Sequence, residues 1–151
     1  MASSTEAEFD DVMDLNVKSA FFAVQKLLPF MPRGASIVLV SSIAGSNGDA
    51  GAIVYNTAKA AVRSMARSMT AELRDRGIRA NTVSPGPTAT EGFDGYIAEH
   101  GATRDDIVRL LPVGHIGRPS EVAAAVAFLV SDDSSYIAGA EIVTDGGMSQ
   151  I

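Results

Sequence analysis

The sequence predicts an α/β protein built on a parallel sheet, an incomplete three-layer arrangement with about three strands of a larger doubly wound sheet. Three observations predict it. Helical and strand patterns alternate along the 151 residues with short links between them, the arrangement that yields parallel strands with right-handed crossovers. The run Ser36-Ile37-Val38-Leu39-Val40-Ser41 is apolar on both parities, so both of its faces need cover, as for a strand inside a parallel sheet. Such a strand also needs a neighbour on each edge. Nothing N-terminal to it in this sequence reads as one.

The first element is a long helix from about Thr5 to Met31. Phe9, Val12, Met13, Val17, Ala20, Phe21, Val24, Leu27 and Leu28 keep helical spacing. Ser4 or Thr5 can cap it, and Glu6 and Glu8 suit the positive end of its dipole. Pro29, Pro32 and Gly34 close it. Asn16 is the one polar residue lodged in the apolar stripe. After the first strand comes a loop from Ser42 to Gly51, then an alanine-rich helix from about Ile53 to Arg76 with Gly77 as its stop. Ile78–Val83 reads as a second buried strand, left through Ser84-Pro85-Gly86-Pro87.

From Thr88 to Gly117 the pattern is weak, with room for two short helices. Phe93, Tyr96, Ile97, Ile107, Leu110 and Leu111 suit either an apolar lid or simple packing onto the domain. Pro119-Ser120-Glu121 starts a helix through about Val130, with Ser120 as its cap. A turn at Tyr136–Gly139, a short strand Glu141–Thr144 and the exit Asp145-Gly146-Gly147 complete the chain. No internal repeat or domain boundary is visible, so residues 1–151 read as a single domain.

Composition narrows the function classes. Hydrophobic residues at 46% and charged ones at 20% are those of a chain that folds around a core. A formal charge of -6 argues against nucleic acid or an anionic membrane as partner. The local concentration of basic residues from Arg63 to Arg79 reads as a solvated helix face. With no cysteine and two distant histidines, His100 and His115, neither a metal site nor a serine–histidine triad is expected. No run reaches the roughly 20 apolar residues of a membrane span, and no signal peptide opens the chain. The expectation is a soluble cytoplasmic protein.

Tyr55 and Lys59 are four residues apart, one turn of the second helix, and Ser42 follows the end of the first strand. A phenol titrates near 10, and a neighbouring ammonium favours its ionised form, the tuning that an acid/base catalyst needs. By itself the spacing also fits a surface pair. Ser42 lies beyond the carboxyl end of a parallel strand, where ligands bind in such sheets, yet serine is equally a local turn former. Asn16 is either a core amide satisfied internally or a holder of water in a proton path. Ser84-Pro85-Gly86-Pro87-Thr88-Ala89-Thr90 is either an ordinary strand exit or a rigid loop whose glycine lets backbone approach a flat ligand. Gly45, Gly48 and Gly51 have the wrong spacing for a dinucleotide fingerprint and read as a flexible loop beside the serine.

Taken together, Val40-Ser41-Ser42, Tyr55-Asn56-Thr57-Ala58-Lys59, Asn81-Thr82-Val83-Ser84-Pro85-Gly86 and Asp145-Gly146-Gly147 resemble the short-chain dehydrogenase/reductase family. Asp14-Leu15-Asn16-Val17, Gly117-Arg118-Pro119-Ser120-Glu121-Val122-Ala123 and Phe128-Leu129-Val130-Ser131 are similar to further segments of that family, in the same order. The resemblance implies a Rossmann-like fold and hydride transfer between NAD or NADP and a secondary alcohol or ketone. The nearest-looking members are 3-oxoacyl reductases and sugar or polyol dehydrogenases. It implies Tyr55 as acid/base, Ser42 as stabiliser of the substrate oxygen, and Asn16 as holder of a relay water. Lys59 would lower the tyrosine pKa and bond the nicotinamide ribose. Pro85, Gly86, Thr88 and Thr90 would line the nicotinamide.

The glycine-rich turn, the adenosine-selecting residue and the Asn-Ala-Gly segment of such enzymes are not in this sequence. The chain therefore reads as the C-terminal catalytic part, weak or inactive alone. A homo-oligomer, dimer or tetramer, is implied by helices that resemble the family's subunit-pairing ones. The alternative from another class is a non-catalytic assembly module that uses those helices and the open sheet edge.

Overall fold

In a computed structural model, which describes residues 4–151, Thr5 caps the first helix reciprocally. Its Oγ1 accepts from the Glu8 N–H at 3.2 Å while the Glu8 carboxylate accepts from the Thr5 N–H at 2.8 Å. Two amide groups that a helix start leaves orphaned are thereby satisfied. Helix α1 spans Glu6–Met13 and α2 spans Ser19–Leu27, joined by a π-helical turn at Asp14–Lys18 and followed by a 3-10 turn at Leu28–Phe30. The expected single helix is continuous in path, with a wider turn in its middle. Asn16 sits in that turn and its side-chain amide donates to the Val12 carbonyl at 2.9 Å. A side chain competing with the backbone for an i−4 carbonyl is a physical cause of such local widening.

Three parallel strands follow in the order β1 (Ser36–Val40), β2 (Arg79–Pro85), β3 (Glu141–Thr144). Leu39 lies opposite Thr82, and Val83 opposite Ile142. Helix α3 (Ile53–Glu72) covers one face. Its Val62, Ala66 and Met69 pack on Ile37, Leu39, Ile78 and Ala80, with Val24 and Leu28 of the first helix layer against them. The small residues on α3 let it lie close to the sheet. Helix α6 (Pro119–Val130) contacts all three strands and buries Leu129 completely. β1 is an edge strand among the described residues, and Val40 remains 53% exposed there. The double-sided apolar pattern of β1 is thus only partly covered, as the missing neighbour predicts.

Gly77 ends the α3 region in the left-handed conformation, φ 65°. The cap of α6 differs from expectation. Arg118, not Ser120, holds the cap position, its N–H donating to Glu121 Oε2 at 2.7 Å. Pro119 occupies the first helical position, where its missing N–H costs nothing, and this puts the cap two residues upstream of Ser120. The basic run from Arg63 to Arg79 is not a uniformly solvated face. Arg76 donates to the Leu28 carbonyl at 2.9 Å and to the Met31 carbonyl, and Arg79 to Ser134 O at 2.9 Å and Ile137 O at 3.0 Å. Five fixed donors let one guanidinium satisfy several carbonyls left over at chain ends.

Between β2 and α6 lie α4 (Phe93–Glu99) and α5 (Arg104–Arg109). The segment leaves and re-enters at one point, where Ala89 N donates to Gly117 O at 2.8 Å and Gly117 N to Pro87 O at 3.1 Å. Ile97 and Leu111 are buried, whereas Tyr96 and Leu110 are exposed.

Candidate functional site

Parallel pairing brings the C-terminal ends of β1 and β2 side by side, since Val40 lies opposite Val83. Ser42 and the Pro85–Thr90 loop therefore emerge on one edge of the sheet, the edge where open α/β sheets bind ligands. The loop carrying Ser42 is fastened to α3. Ser41 is buried and its Oγ donates to the Lys59 carbonyl at 2.8 Å. A Cβ on Gly45 would stand 2.9 Å from the Lys59 carbonyl carbon and 3.0 Å from Ala60 N. Only a residue without a side chain allows the loop this close to the helix backbone. Ser42 Oγ accepts from Ala44 N at 3.2 Å, which leaves its hydroxyl proton free to be donated elsewhere.

Tyr55 and Lys59 converge as their spacing predicts. The Lys59 Nζ stands 5.5 Å from the Tyr55 ring centroid, within cation–π range. The same ammonium donates to the Val40 carbonyl at 3.4 Å, so it reaches the end of β1 next to Ser42. Burial holds the Lys59 ammonium below its ordinary pKa. The phenol is 40% exposed and open to a ligand from solvent. Asn16 is carried by the π turn, which packs against α3. Its amide donor is turned onto its own helix at Val12, and no bond from it to Ser42, Tyr55 or Lys59 is present.

The strand-exit loop differs from the sequence reading in one respect. A Cβ on Gly86 would meet Asp145 Cβ at 2.7 Å and Asp145 Cα at 2.9 Å. The Asp145-Gly146-Gly147 turn is therefore one close approach that demands glycine here. Asp145 in turn accepts from Gly147 N at 2.9 Å, Ser149 N at 2.7 Å and Ser149 Oγ at 2.6 Å. Burial alone raises its pKa, but these hydrogen bonds together outweigh it and hold the carboxyl below its ordinary range. Gly86 N donates to Thr144 O at 3.1 Å, and Thr88 Oγ1 donates to Gly86 O at 3.0 Å. Thr90 is exposed at the loop's end.

A cavity of about 200 Å³ lies beyond this loop, lined by Pro87, Leu111, Val113, His115, Thr144 and Asp145 among others. None of Ser42, Tyr55 and Lys59 lines it; of the three, Tyr55 is exposed and Ser42 and Lys59 are half-buried. Among the described residues no group of acidic or histidine side chains is placed to hold a metal, and no helix is long and apolar enough to cross a membrane. Sequence reasoning named Ser41, Gly45 and Asp145 but gave none of them its fastening role. The signal for the first two was present in the doubled serine and in the fixed interval from Ser42 to Gly45, but their partner, the backbone of Lys59, is invisible in a sequence.

A family model described as enoyl-(acyl carrier protein) reductase matches residues 1–149. The chain is 40% identical over 149 residues to oxidoreductase asL5 of Sarocladium schorii, covering 97% of this chain and 59% of that protein. It is 37% identical over 145 residues to the 3-oxoacyl-[acyl-carrier-protein] reductase FabG of Thermotoga maritima, covering 95% and 58%. Among solved structures, a short chain dehydrogenase family protein from Francisella tularensis superposes with a TM-score of 0.93 at 28% identity, covering 99% of this chain and 65% of that one. The angucycline C-6 ketoreductase LanV with bound NADP superposes with a TM-score of 0.89 at 33% identity, covering 97% and 56%. The chain thus spans somewhat under two thirds of the length of the proteins it matches.

Proposed function

Because this chain belongs to the short-chain dehydrogenase/reductase family, we propose that it carries the proton-transfer and nicotinamide-side part of an NAD- or NADP-dependent oxidoreductase acting on a secondary alcohol or ketone. The observation that carries the reading is the convergence of Lys59 on Tyr55 at the end of β1, with Nζ 5.5 Å from the ring centroid and 3.4 Å from the Val40 carbonyl. It supports reading the phenol, the cation and the nearby Ser42 as one site at the edge where open α/β sheets bind ligands.

In the reducing direction the Tyr55 hydroxyl gives its proton to the carbonyl oxygen of the substrate, and in the oxidising direction the phenolate takes it back. Lys59 brings a positive charge beside the phenol. The partial burial that weakens the ammonium's own hold on its proton also thins the water that screens its charge from Tyr55. Ser42 donates to the substrate oxygen, fixing it within reach of the phenol. Asn16 is assigned the relay water.

NAD or NADP, when bound, supplies or accepts the hydride. The residues present suit its nicotinamide end: Tyr55 and Lys59 as hydrogen-bond donors to the ribose hydroxyls, and Pro85, Gly86, Thr88 and Thr90 as the loop along the ring. Bound NADP in LanV supports this choice of cofactor class. The likeness to FabG and to a ketoreductase favours a 3-oxoacyl or polyketide-type ketone over a sugar or polyol. Since the chain matches only 58–59% of its curated relatives, the isolated 151 residues are expected to bind NAD(P) poorly. The test joins the chain to a glycine-rich β-α-β segment and follows NADPH oxidation with a 3-oxoacyl thioester. Turnover that Tyr55→Phe leaves untouched would sink the assignment.

A second reading concerns assembly. Leu15, Phe22, Leu27 and Phe30 are exposed along α2 and the turns on either side of it, an apolar surface of the sort that pairs subunits. We propose a homo-oligomer, dimer or tetramer, through this face. Sedimentation as a monomer at tens of micromolar would remove it.

A further inference from the structure

Arg63 stands one turn beyond Lys59 on α3, in the run Tyr55, Lys59, Arg63. Its guanidinium joins three elements. Nη1 donates to the Gly45 carbonyl at 3.0 Å, in the loop that carries Ser42. Nη2 contacts Glu141 Oε2 at 2.5 Å, at the first residue of β3. The other Glu141 oxygen accepts from Ser84 Oγ at 2.5 Å, on β2. Both charged side chains are largely removed from water, at 26% exposure for Arg63 and 18% for Glu141. This is the opposite of the solvated face that the basic run suggested.

A planar fork with a charge is the group suited to this task, because it bonds a carboxylate and a carbonyl at fixed directions simultaneously. Of the other fastenings of the serine loop, Ser41 Oγ on Lys59 O and the packing of Gly45 act on the backbone of α3, and Ser41 N donates to the Val83 carbonyl of β2 at 2.8 Å. Arg63 adds a side-chain link that refers the loop to β3 and, through Glu141, to Ser84 of β2. We infer that Arg63, braced by Glu141 and Ser84, is a positioning residue that sets Ser42 against Tyr55 and Lys59. The inference rests on the reading of those three residues as the reacting site.

Amide exchange reads this without needing turnover. Gly45 N donates to Ser42 O, and Ser46 N and Asn47 N both donate to Ile43 O, so these three amides report on the loop. In Arg63→Lys, which keeps a cation near Glu141 but loses the fork, they are expected to exchange ~10-fold faster or more, the loss of a charge-assisted bond, while amides of β2 stay within about twofold. The double variant Arg63→Met with Glu141→Gln removes the stranded carboxylate along with the fork. Here the loop is expected to stay loosened. Wild-type protection of the three amides in either variant overturns the proposal, since Arg63 would then only neutralise Glu141. In the enzyme joined to the glycine-rich segment, Arg63→Lys is expected to lower kcat ~10-fold with a smaller change in KM, whereas an unchanged kcat also overturns it. Tyr55→Phe in the same assay reports separately on the reaction, so failure of the site reading is not confused with failure of the positioning role.

Discussion

The corner formed by the end of β1, α3 and the Ser42 loop differs in kind from the segment between Thr88 and Gly117. In the corner, side chains are fixed by bonds to backbone: Ser41 to Lys59 O, Arg63 to Gly45 O, Lys59 to Val40 O. The segment is hinged where it leaves and returns, and its two helices are tied by an exposed pair, Arg104 Nε to Asp94 Oδ1 at 2.6 Å and Nη2 to Oδ2 at 2.8 Å. Bonds to backbone inside a packed layer tolerate little change, whereas exposed ion pairs contribute little and are screened. The proposed chemistry belongs to the first kind of structure. Substrate choice is expected to reside in the second, where side chains change without loss of the fold.

The largest expected effect sharpens that contrast. Tyr55→Phe removes only a hydroxyl from a residue 40% exposed, so the melting temperature is expected to stay unchanged. Turnover of the joined enzyme is expected to fall ~100- to 10,000-fold, the range for loss of a general acid/base. A parallel loss of stability would mean that the corner is held by the phenol and not by its backbone bonds.

Next come the two glycines that enforce close approach. Gly45→Ala places a methyl 2.9 Å from the Lys59 carbonyl carbon, and Gly86→Ala one 2.7 Å from Asp145 Cβ. Because backbone must move in either case, each is expected to destabilise by ~1–3 kcal/mol in denaturant unfolding. Gly48→Ala, in the same loop as Gly45 but with open space around it, is the control and is expected to be near neutral.

How much of this was legible follows from the same distinction. Regular periodicity gave the strands and the helices, and the spacing of Tyr55 and Lys59 on α3 held because helix geometry alone dictates it. The π turn at Asn16 was hidden because the apolar stripe continues across it. Arg63 was misread because nothing in the helix pattern says that Glu141, 78 residues later in the sequence, will stand beside it. Gly86 was recognised as a close-approach residue, but its contact with Asp145 was hidden, since Asp145 reaches it only through the pairing of β2 with β3.

A third test uses the burial of Lys59. Its pKa lies below the ordinary 10.5 because burial disfavours the charged form. The unfolded chain therefore binds this proton more tightly than the folded one, so the site works against folding at neutral pH and the penalty fades as pH rises through the folded pKa toward 10.5. Lys59→Met is expected to raise the unfolding midpoint at pH 7, with the gain shrinking as pH rises toward 10.5. A gain that is flat with pH would place the strain in packing and not in desolvation.

The smallest effect lies where the two regions meet. Glu121 opens α6 just after the segment re-enters at Gly117, and its carboxyl is lowered from 4.5 to about 2 by the Arg118 N–H first, then by the Arg118 and His115 side chains. A carboxyl with a depressed folded pKa stabilises above its unfolded value and loses that contribution as pH falls from 4.5 toward 2. Glu121→Gln should therefore narrow the gap to wild type progressively through that acid window, while the gap at pH 7 stays constant on addition of His115→Gln, whose ring is a lesser partner. Because Glu121 is solvent-exposed in its charged state, added salt is expected to shrink the Arg118 and His115 side-chain contributions and leave the backbone N–H bond. If acid sensitivity persists in Glu121→Gln, the junction is held by the Thr88–Gly117 bridge alone, and the segment is hinged to β2 rather than to α6.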